Sequence, residues 1–363
     1  MDTLCLKIRL LPTKAQETVL QTTLETCRLL YNRLLGWRKD AYEQTGTSPS
    51  RYEQTNALPP WKEDNEYLRR VHSQVIQEVV QRVDRSFQNF FRRVKAGGTP
   101  GYPRFKGRGH YDSFTFPQSG FELQSGTVKL SKIGTVKAVV HRHIEGRIKT
   151  CTLRRQNGKW FACFAIEVES VPLESNGEAV GIDVGLASFA TLSTGEQVDN
   201  PRFYRKEEKA LAKAQRRLAK FEKGTKERRK ARQVVARIHE RIRNRRHNFV
   251  HQTARQIVNR FEKIAMEKLN VKGMQKNGHL SKSIGDASWT MFRAVLKRKA
   301  ESAARQYVEV NPSFTSQDCH QCGYRAKKKL SERWHHCPMC AASLDRDYNA
   351  ALNILSLGTQ TFR

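Results

Sequence analysis

The stretch AVGIDVGLASFATLSTGEQVDN, residues 179–200, decides the fold class of the second half of the chain. Val180, Ile182 and Val184 form a short apolar run that is typical of a buried strand, and STGE then predicts the hairpin to a second strand. Asp183 stands in the middle of the first strand. A carboxylate that is buried without a partner is protonated or costly, so we expect Asp183 to bind a cation.

Two later segments carry acids of the same kind. EKIAMEKLN, residues 262–270, predicts a second buried strand that ends in Glu267, and YVEVNPSF predicts a third strand. LDRDYNAALNIL opens a helix with Asp345 and Asp347 at its start, where free N–H groups keep a carboxylate ionised; for Asp345, plain N-capping is a sufficient explanation. The hard oxygen ligands Asp183, Glu267 and Asp347 suggest two Mg²⁺ ions that serve phosphodiester cleavage.

The C-terminal part contains two C-x-x-C pairs with fourteen residues between them. Their members are Cys319, Cys322, Cys337 and Cys340. Four thiolates at this spacing predict a closed tetrahedral site, in which Zn²⁺ has a structural role. His320, His335 or His336 could replace a cysteine, but the pairing favours four thiols. The other cysteines stand among apolar neighbours, as buried free thiols do, so disulfides are not expected.

The net charge of +31 is the strongest compositional feature, with 66 Lys and Arg against 35 Asp and Glu. A phosphate backbone neutralises such self-repulsion and releases counterions, so nucleic acid is the expected partner. No run approaches twenty apolar residues, and Asp2 and Lys7 interrupt the beginning of the chain. We therefore expect neither export nor membrane insertion, and a cytoplasmic, nucleoid-associated protein.

The basic residues concentrate in two segments. AGGTPGYPRFKGRGH lacks regular structure and holds Arg104 and Lys106, which suit phosphate contacts, although a plain interdomain linker is the alternative. Residues 201–260 are helical in pattern apart from Gly224, which predicts two antiparallel helices with one apolar and one cationic side. The basic residues expected to contact a nucleic-acid backbone there are Arg241, Arg243, Arg245 and Arg246.

The spacing of apolar residues changes twice in the first half of the chain. LCLKIRLLPT predicts a strand, residues 14–41 have helical spacing, and from Tyr67 to Val94 apolar residues recur every four positions. Residues 113–169 then alternate with period two, and QNGK is typical of a hairpin. We expect a small β-barrel or sandwich that the N-terminal strand joins, with the helices as an insertion. Gln74 and Gln77 suit the reading of base edges, although surface solvation explains them equally well.

Several motifs resemble the TnpB family, transposon-encoded RNA-guided DNA endonucleases with a split RuvC nuclease domain, related to type V CRISPR effector nucleases. The similarity covers nearly the whole chain. Its motifs, in chain order, are GYPRFKGR, GIDVGL, IAMEKL, HLSKSIGDASWTMF, NPSFTSQDCHQCG and DRDYNAALNIL.

The resemblance implies an RNase H-like fold in which the three acids bind catalytic magnesium. Asp347 rather than Asp345 is the match, because it stands two residues before Asn349. Arg333 matches an arginine that assists at the scissile phosphate. The barrel and its helical insertion are implied to hold a guide RNA from the transposon end and to read a short motif that flanks the double-stranded DNA target.

The expected architecture is an α+β multidomain protein, in which a RuvC-like nuclease domain with an inserted Cys₄ zinc finger follows a β-barrel, wedge-like domain. The expected ranges are 1–12 and 113–175 for the barrel, 13–112 for an inserted helical recognition domain, 178–317 and 342–363 for the RNase H-like α/β nuclease domain with a basic hairpin at 202–260, and 318–341 for the zinc finger. The expected function is RNA-guided DNA cutting in a bacterial or archaeal transposon. Two alternatives are a catalytically silent RNA-guided repressor, which Asp183→Ala would leave unaffected, and a strand-transfer enzyme, which would join DNA ends.

Overall fold

The computed structural model describes residues 2–141, 145–327 and 332–362, and the chain divides into two compact units, Met1–Glu169 and Ser170–Arg363. Each unit has its own core of buried apolar side chains, as expected for a chain too long for a single core. Among the helices of these described ranges, none is both long and apolar enough to span a lipid bilayer.

The first unit combines one antiparallel sheet with a helical segment that follows its first strand. The elements are β1 (Asp2–Leu11), α1 (Lys14–Thr45), α2 (Arg51–Asn56), α3 (Leu58–Glu63), α4 (Glu66–Arg69), α5 (Ser73–Lys95), β2 (Ser113–Phe116), β3 (Phe121–Gln124), β4 (Thr127–Leu130), β5 (Gly134–Val139), β6 (Arg147–Gln156) and β7 (Lys159–Val168). The strand order is β2-β6-β7-β1-β5-β4-β3. β1 pairs with β5 and β7, so the prediction that the N-terminal strand joins this sheet is confirmed.

The sheet of the first unit is curved, but the predicted barrel is not closed. β2 and β3 form its two edges, and no ladder joins them in the described residues. Their aromatic side chains nevertheless meet, with the ring centroids of Phe116 and Phe121 6.4 Å apart, and Phe121 also lies 6.2 Å from Phe164 on β7. A closed barrel requires backbone hydrogen bonds between its two edge strands, in a staggered register. Here a four-residue connection and the contact between these rings hold the two edges near each other, without a ladder between them.

The long helices of the first unit follow the predicted periodicity. α1 is one helix, and its N-terminus is a capping box in which Gln16 N donates to Thr13 Oγ1 at 3.3 Å and Thr13 N donates to Gln16 Oε1 at 3.0 Å. On α5, the residues spaced by four, Val75, Val79 and Val83, are all buried. This apolar side belongs to the same core as the inner face of the sheet.

The second unit is an α/β unit around a mixed sheet. Its elements are β8 (Ala179–Asp183), β9 (Ser188–Leu192), β10 (Gln197–Asp199), α6 (Phe203–Ala219), α7 (Lys226–Arg260), β11 (Lys263–Glu267), α8 (Val271–Met274), α9 (Ser281–Ala287), α10 (Trp289–Ser302), β12 (Gln306–Val310), β13 (Trp334–His336), β14 (Ser343–Asp345) and α11 (Arg346–Thr359). The sheet order is β10-β9-β8-β11-β12. β11 runs parallel to both β8 and β12, whereas β8, β9 and β10 form an antiparallel meander.

Helices cover both faces of this sheet. The even-numbered residues of β8 and β11, such as Ile182 and Ile264, belong to the core formed with α7 and α10. The odd-numbered residues face α11, which approaches closely because a Cβ at Gly181 would overlap the carbonyl oxygen of Ala351. Gly358 of α11 likewise lies directly against Ala265 of β11. These two glycines set the depth at which α11 sits on the sheet.

The basic helical segment is a hairpin, as predicted. α6 and α7 are joined through Gly224, which has a φ of +97°, and Leu211, Ile238 and Ile242 form the buried side between the helices. The segment around Trp289 forms two helices, α9 and α10, which are divided at Ser288, where φ is +61°.

The division between α9 and α10 accompanies a contact between distant parts of the chain. Asp286, at the end of α9, is buried and accepts hydrogen bonds from the backbone N–H groups of Tyr204 at 2.9 Å and Arg205 at 3.2 Å. It therefore caps the N-terminus of α6 from another part of the chain. The turn at Ser288 separates this capping helix from α10, whose apolar side packs on the sheet.

Candidate functional site

Two carboxylates stand at the ends of neighbouring parallel strands. Asp183 is the last residue of β8, so its predicted place in the middle of the strand is wrong, and Glu267 is the last residue of β11, as predicted. The parallel register aligns the two strands up to the residues immediately before these acids. Because side chains alternate along a strand, Asp183 shares a face with Gly181, and Glu267 shares a face with Ala265. Both acids therefore lie on the α11 side of the sheet.

α11 supplies the third carboxylate from its first turn. Asp345 caps the helix, with its Oδ1 accepting from the N–H groups of Asp347 at 2.9 Å and Tyr348 at 3.0 Å, so the N-capping interpretation is confirmed. A Cβ added to Gly185 would lie 3.8 Å from Asp347 Oδ2. The Asp347 carboxylate is thus next to the turn that follows Asp183. The structure brings together Asp183, Glu267 and Asp347, which are called the acid trio below.

The acid trio is electrostatically strained without a cation. Burial raises the pKa of Asp183 well above its usual range, and the charges of Glu267 and Asp347 raise it further, while Arg346 opposes the shift. Burial also raises the pKa of Glu267, against a hydrogen bond from Thr315 that lowers it. Each of these carboxyl groups holds a proton at higher pH than usual. A divalent cation would replace the protons and remove the repulsion.

Two arginines contact the third member of the acid trio. Arg346 donates from Nε and Nη2 to Asp347 Oδ1 at 3.2 and 3.1 Å, and Arg333 Nη1 lies 3.5 Å from Asp347 Oδ2. The Arg333 side chain is 51% exposed. Sequence reasoning selected Arg333 but missed Arg346, which stands between the two aspartates of the DRD motif. Its side chain is fixed further by a bond of 3.1 Å to the carbonyl oxygen of Glu332.

Thr315 is a second residue that sequence reasoning missed. It lies in the loop after β12, is buried, and donates its hydroxyl hydrogen bond to Glu267 Oε1. This bond orients the carboxylate and satisfies one of its oxygens. The sequence clue was the position of a hydroxyl residue just beyond the third strand, because the ends of parallel strands meet at one edge of a sheet.

The four predicted zinc ligands also converge, and they are called the cysteine cluster below. The Sγ atoms of Cys319 and Cys340 are 3.6 Å apart, and those of Cys322 and Cys337 are 3.4 Å apart. All four sulfurs lie within 4.8 Å of one another. A zinc ion with bonds of about 2.3 Å requires tetrahedral edges of about 3.8 Å, so the donors fit this metal. Among the described residues, no histidine belongs to this group.

The acid trio is a wider site than the cysteine cluster. Within the described ranges, no three carboxylates approach as closely as the four sulfurs do. Two magnesium ions about 3.5–4 Å apart need ligands spread over such a distance, whereas one zinc ion needs a compact shell. The carboxylate oxygens of the acid trio are donors that suit hard cations, and the thiols of the cysteine cluster suit a soft one.

The cysteine cluster is tied to α11 by two asparagines. The buried Asn349 accepts from His320 N at 3.1 Å and donates to the carbonyl oxygen of Asp318 at 2.8 Å. Asn353, one turn later, donates to the carbonyl oxygens of Asp318 at 2.7 Å and Thr315 at 2.8 Å. The helix that carries Asp347 is therefore bonded to the first knuckle of the cysteine cluster and to the loop of Thr315.

The nucleic-acid contacts predicted in the first unit have different surroundings. Arg104 and Gln77 are exposed. The Nζ of Lys106 lies 5.7 Å from the centre of the Tyr31 ring. Gln74 accepts from Ser119 N at 3.0 Å, so its amide is oriented by the protein. Their contacts with nucleic acid stay predictions.

The four arginines predicted on α7 divide into exposed and engaged side chains. Arg241 and Arg245 share Glu207 of α6, at 3.2 and 3.1 Å. Arg246 pairs with Asp286 at 2.7 Å and so supports the cap of α6. Arg243 is exposed. Their contacts with a nucleic-acid backbone also stay predictions, and Arg246 already has a clear role inside the protein.

Models of three families match successive parts of the chain. Residues 1–47 match a family described as a helix-turn-helix domain, residues 163–278 one described as a probable transposase, and residues 289–354 one described as a Cas12f1-like TNB domain. In the structure, the first of these segments contains β1 and the single long helix α1. The other two carry the acid trio and the cysteine cluster.

Whole-chain relatives decide the family. The chain is 35% identical over 361 residues to a Streptomyces pristinaespiralis protein named "Putative RNA-guided DNA endonuclease", covering 97% of this chain and 88% of the relative. It is 29% identical to "Putative RNA-guided DNA endonuclease InsQ" of Escherichia coli K12, covering 97% and 91%. A mimivirus relative named "TnpB-like protein L79" is 27% identical over 52% of this chain and 38% of its own. The chain belongs to the TnpB family. The family resemblance of the sequence motifs is thereby confirmed, and all members of the acid trio and the cysteine cluster lie within the matched TnpB length.

Proposed function

We propose that this chain is an RNA-guided endonuclease of a transposon, which cuts double-stranded DNA beside a short flanking motif by two-metal hydrolysis. The observation that carries the proposal is the convergence of Asp183, Glu267 and Asp347 at one end of a sheet, in a member of the TnpB family. Burial and the charges of the neighbouring acids raise the pKa of Asp183, and burial raises the pKa of Glu267, so these carboxylates are poor structural elements. They are well suited to hold divalent cations.

The residues around the acid trio would bind and orient the reacting groups. Asp183, Glu267 and Asp347 would hold two magnesium ions, which supply an activated water and stabilise the leaving oxygen when bound. Thr315 and Arg346 would fix the directions of the Glu267 and Asp347 carboxylates. The half-exposed Arg333 has the reach and charge to pair with a phosphate oxygen. Charge stabilisation by such preorganised groups costs no rearrangement during reaction.

The other partners follow from charge and family. The net charge of +31 supports binding of a polyanion, and the names of the relatives support a guide RNA, taken here to come from the transposon end. Base pairing would read the target, and the protein would read a short flanking motif with Gln74 and Gln77 as candidates. Zn²⁺ at the cysteine cluster would keep the segment before α11 folded.

The experiment purifies the protein with RNA transcribed from its own transposon end, sequences that RNA, and adds matching duplex DNA with Mg²⁺. We expect a discrete small RNA and cutting that needs the matched target. Asp183→Ala should retain the RNA and lose cutting by at least about a thousandfold, which corresponds to a few kcal/mol of lost transition-state stabilisation.

Other outcomes would replace the proposal. Sequence-specific binding without cutting, unchanged in Asp183→Ala, would favour the RNA-guided repressor. Joined rather than broken DNA ends would favour the strand-transfer enzyme that the probable-transposase family match suggests. Absence of both a small RNA and magnesium-dependent cutting would contradict the nuclease proposal itself.

A further inference from the structure

Three of the exposed aromatic rings of the first unit lie close together along the chain. Phe91 at the end of α5 is 55% exposed, and Tyr102 and Phe105 in the following loop are 44% and 54% exposed. These three residues are called the exposed rings below. A single exposed apolar side chain is ordinary, but several large rings within one short segment mark a binding surface.

The first two exposed rings are held by other aromatic residues. Tyr102 meets Phe87 edge-on at 5.8 Å and Phe90 at 5.4 Å between ring centroids. Phe91 lies 5.2 Å from Phe90 and 6.4 Å from Phe87. Three of these four contacts are edge-to-face, a geometry that fixes ring orientation. The outer surfaces of Phe91 and Tyr102 are therefore presented by a rigid aromatic base.

The loop that carries Phe105 is held to α1 by its backbone. Arg28 Nη1 and Asn32 Nδ2 donate to the carbonyl oxygen of Lys106 at 2.8 and 3.0 Å, and Lys106 N donates to Asn32 Oδ1 at 2.7 Å. Arg28 is buried. Since these bonds fix the backbone beside Phe105, the exposure of its ring is a property of the folded loop.

The segment that carries the exposed rings is basic. Between Asp84 and Asp112 the chain contains no acidic residue. The basic residues in the same interval are Arg85, Arg92, Arg93, Lys95, Arg104, Lys106 and Arg108. A partner for this segment must offer flat apolar faces together with many negative charges. A nucleic-acid strand with unpaired bases meets both requirements, because bases stack on aromatic rings while phosphates pair with Lys and Arg.

We propose that Phe91, Tyr102 and Phe105 form a stacking platform for unpaired bases of a nucleic-acid strand. This inference rests on the proposed function for its setting and adds a base-stacking site in the first unit. A duplex hides its base faces and offers phosphates alone, so the platform discriminates a single strand from a duplex. An RNA strand and a displaced DNA strand offer the same chemistry, and both are probes in the test below.

The test measures binding of the full-length protein, freed of nucleic acid at high salt and assayed without added Mg²⁺. The probes are labelled single-stranded RNA, single-stranded DNA of the same sequence, an abasic DNA strand of equal length, and a blunt duplex. We expect the wild type to bind at least one of the two base-bearing single strands, RNA or DNA, about tenfold or more tightly than the abasic strand. The reason is that stacking contributes about 1–3 kcal/mol per base.

Variants separate stacking from charge. Phe91→Leu with Phe105→Leu should weaken binding of that single strand about tenfold and leave abasic strand and duplex binding unchanged. Arg104→Gln should weaken all probes alike. Tyr52→Leu is the matched control, because Tyr52 is a 71% exposed ring in the same unit outside this segment, and it should change nothing.

The outcomes also separate this inference from the proposed function. Equal binding of base-bearing and abasic strands, or an equal loss for every probe in the Phe91→Leu, Phe105→Leu variant, overturns the platform even if guided cutting is observed. A normal discrimination together with no cutting overturns the nuclease proposal and leaves the platform standing. Stronger loss with RNA than with DNA would identify RNA as the stacked strand, and the reverse would identify the displaced DNA.

Discussion

The acid trio has one member on helix α11, and the cysteine cluster is bonded to the same helix, but the two sites are assembled in different ways. The members of the cysteine cluster lie between residues 319 and 340, in two short knuckles. The acid trio draws on two strands and a helix that span residues 183 to 347. The cluster therefore depends on local turns and its metal, whereas the trio depends on the sheet register and on the depth at which α11 packs.

The two sites also differ in how they affect the stability of the fold. A metal bound by the four thiols would contribute directly to folding. Ionised Asp183 opposes folding when no cation is bound, because burial and then the charges of Glu267 and Asp347 raise its pKa. Replacement of the ligating side chains by neutral ones should affect stability in opposite ways at the two sites. It should destabilise the fold at the cysteine cluster and, without bound cations, stabilise it at the acid trio.

The largest effect is expected from the acid trio on DNA cutting. Glu267→Gln should lower the cutting rate by at least about a thousandfold while leaving the zinc content unchanged, because the amide removes a hard anionic ligand without changing shape. Quenched-flow or gel measurements of cutting, with metal analysis of the same sample, check this expectation.

A matched control for Glu267→Gln lies on the next strand. Glu309 of β12 pairs in register with Met266, whose side chain faces the opposite core, and it lies 3.9 Å from Arg293. Glu309→Gln should cut at close to the wild-type rate. Equal losses in both variants would mean that general damage to the sheet, and not ligation, explains the effect.

A smaller loss of cutting is expected from the cysteine cluster. Cys337→Ser should abolish zinc binding and lower the cutting rate by about 10–100-fold, since the cluster supports the position of Asp347 without contributing a carboxylate to the acid trio. Zinc per chain and the cutting rate are measured together. Cys5→Ser, an exposed cysteine in the first unit, should change neither. A Cys337→Ser protein that retains its zinc would contradict the four-thiol site.

The two sites were not equally accessible to sequence reasoning. The C-x-x-C spacing predicts its own geometry because a knuckle is a local turn. Asp183, Glu267 and Asp347 were recognised as acids beside apolar runs, and their resemblance to the TnpB motifs selected Asp347 over Asp345. The contacts that orient them were missed. Arg346 and Thr315 gain their roles from a helix and a loop that meet only in the folded unit.

Fold features show the same division. The apolar residues that recur every four positions on α5 and the turn at Gly224 between α6 and α7 were predicted. The first reflects local periodicity, and the second reflects the backbone freedom of glycine. The break at Ser288 was missed because its reason, the cap that Asp286 provides for α6, involves residues more than eighty positions apart. The prediction of a barrel was wrong for a similar reason. The alternation of apolar and polar residues predicts strands, whereas closure of a barrel depends on how the two edge strands meet.

The most direct test of the acid trio as a shared cation site is the melting temperature of the second unit, measured with and without Mg²⁺ in wild type and Asp183→Asn. Without Mg²⁺ at neutral pH, Asp183→Asn should melt about 2–4 °C higher, because the raised pKa of Asp183 means that its ionised form destabilises the folded state above the usual aspartate range. Added Mg²⁺ should stabilise the wild type and have little effect on the variant. A lower metal-free melting temperature for Asp183→Asn, or an undiminished Mg²⁺ effect in it, would contradict the account.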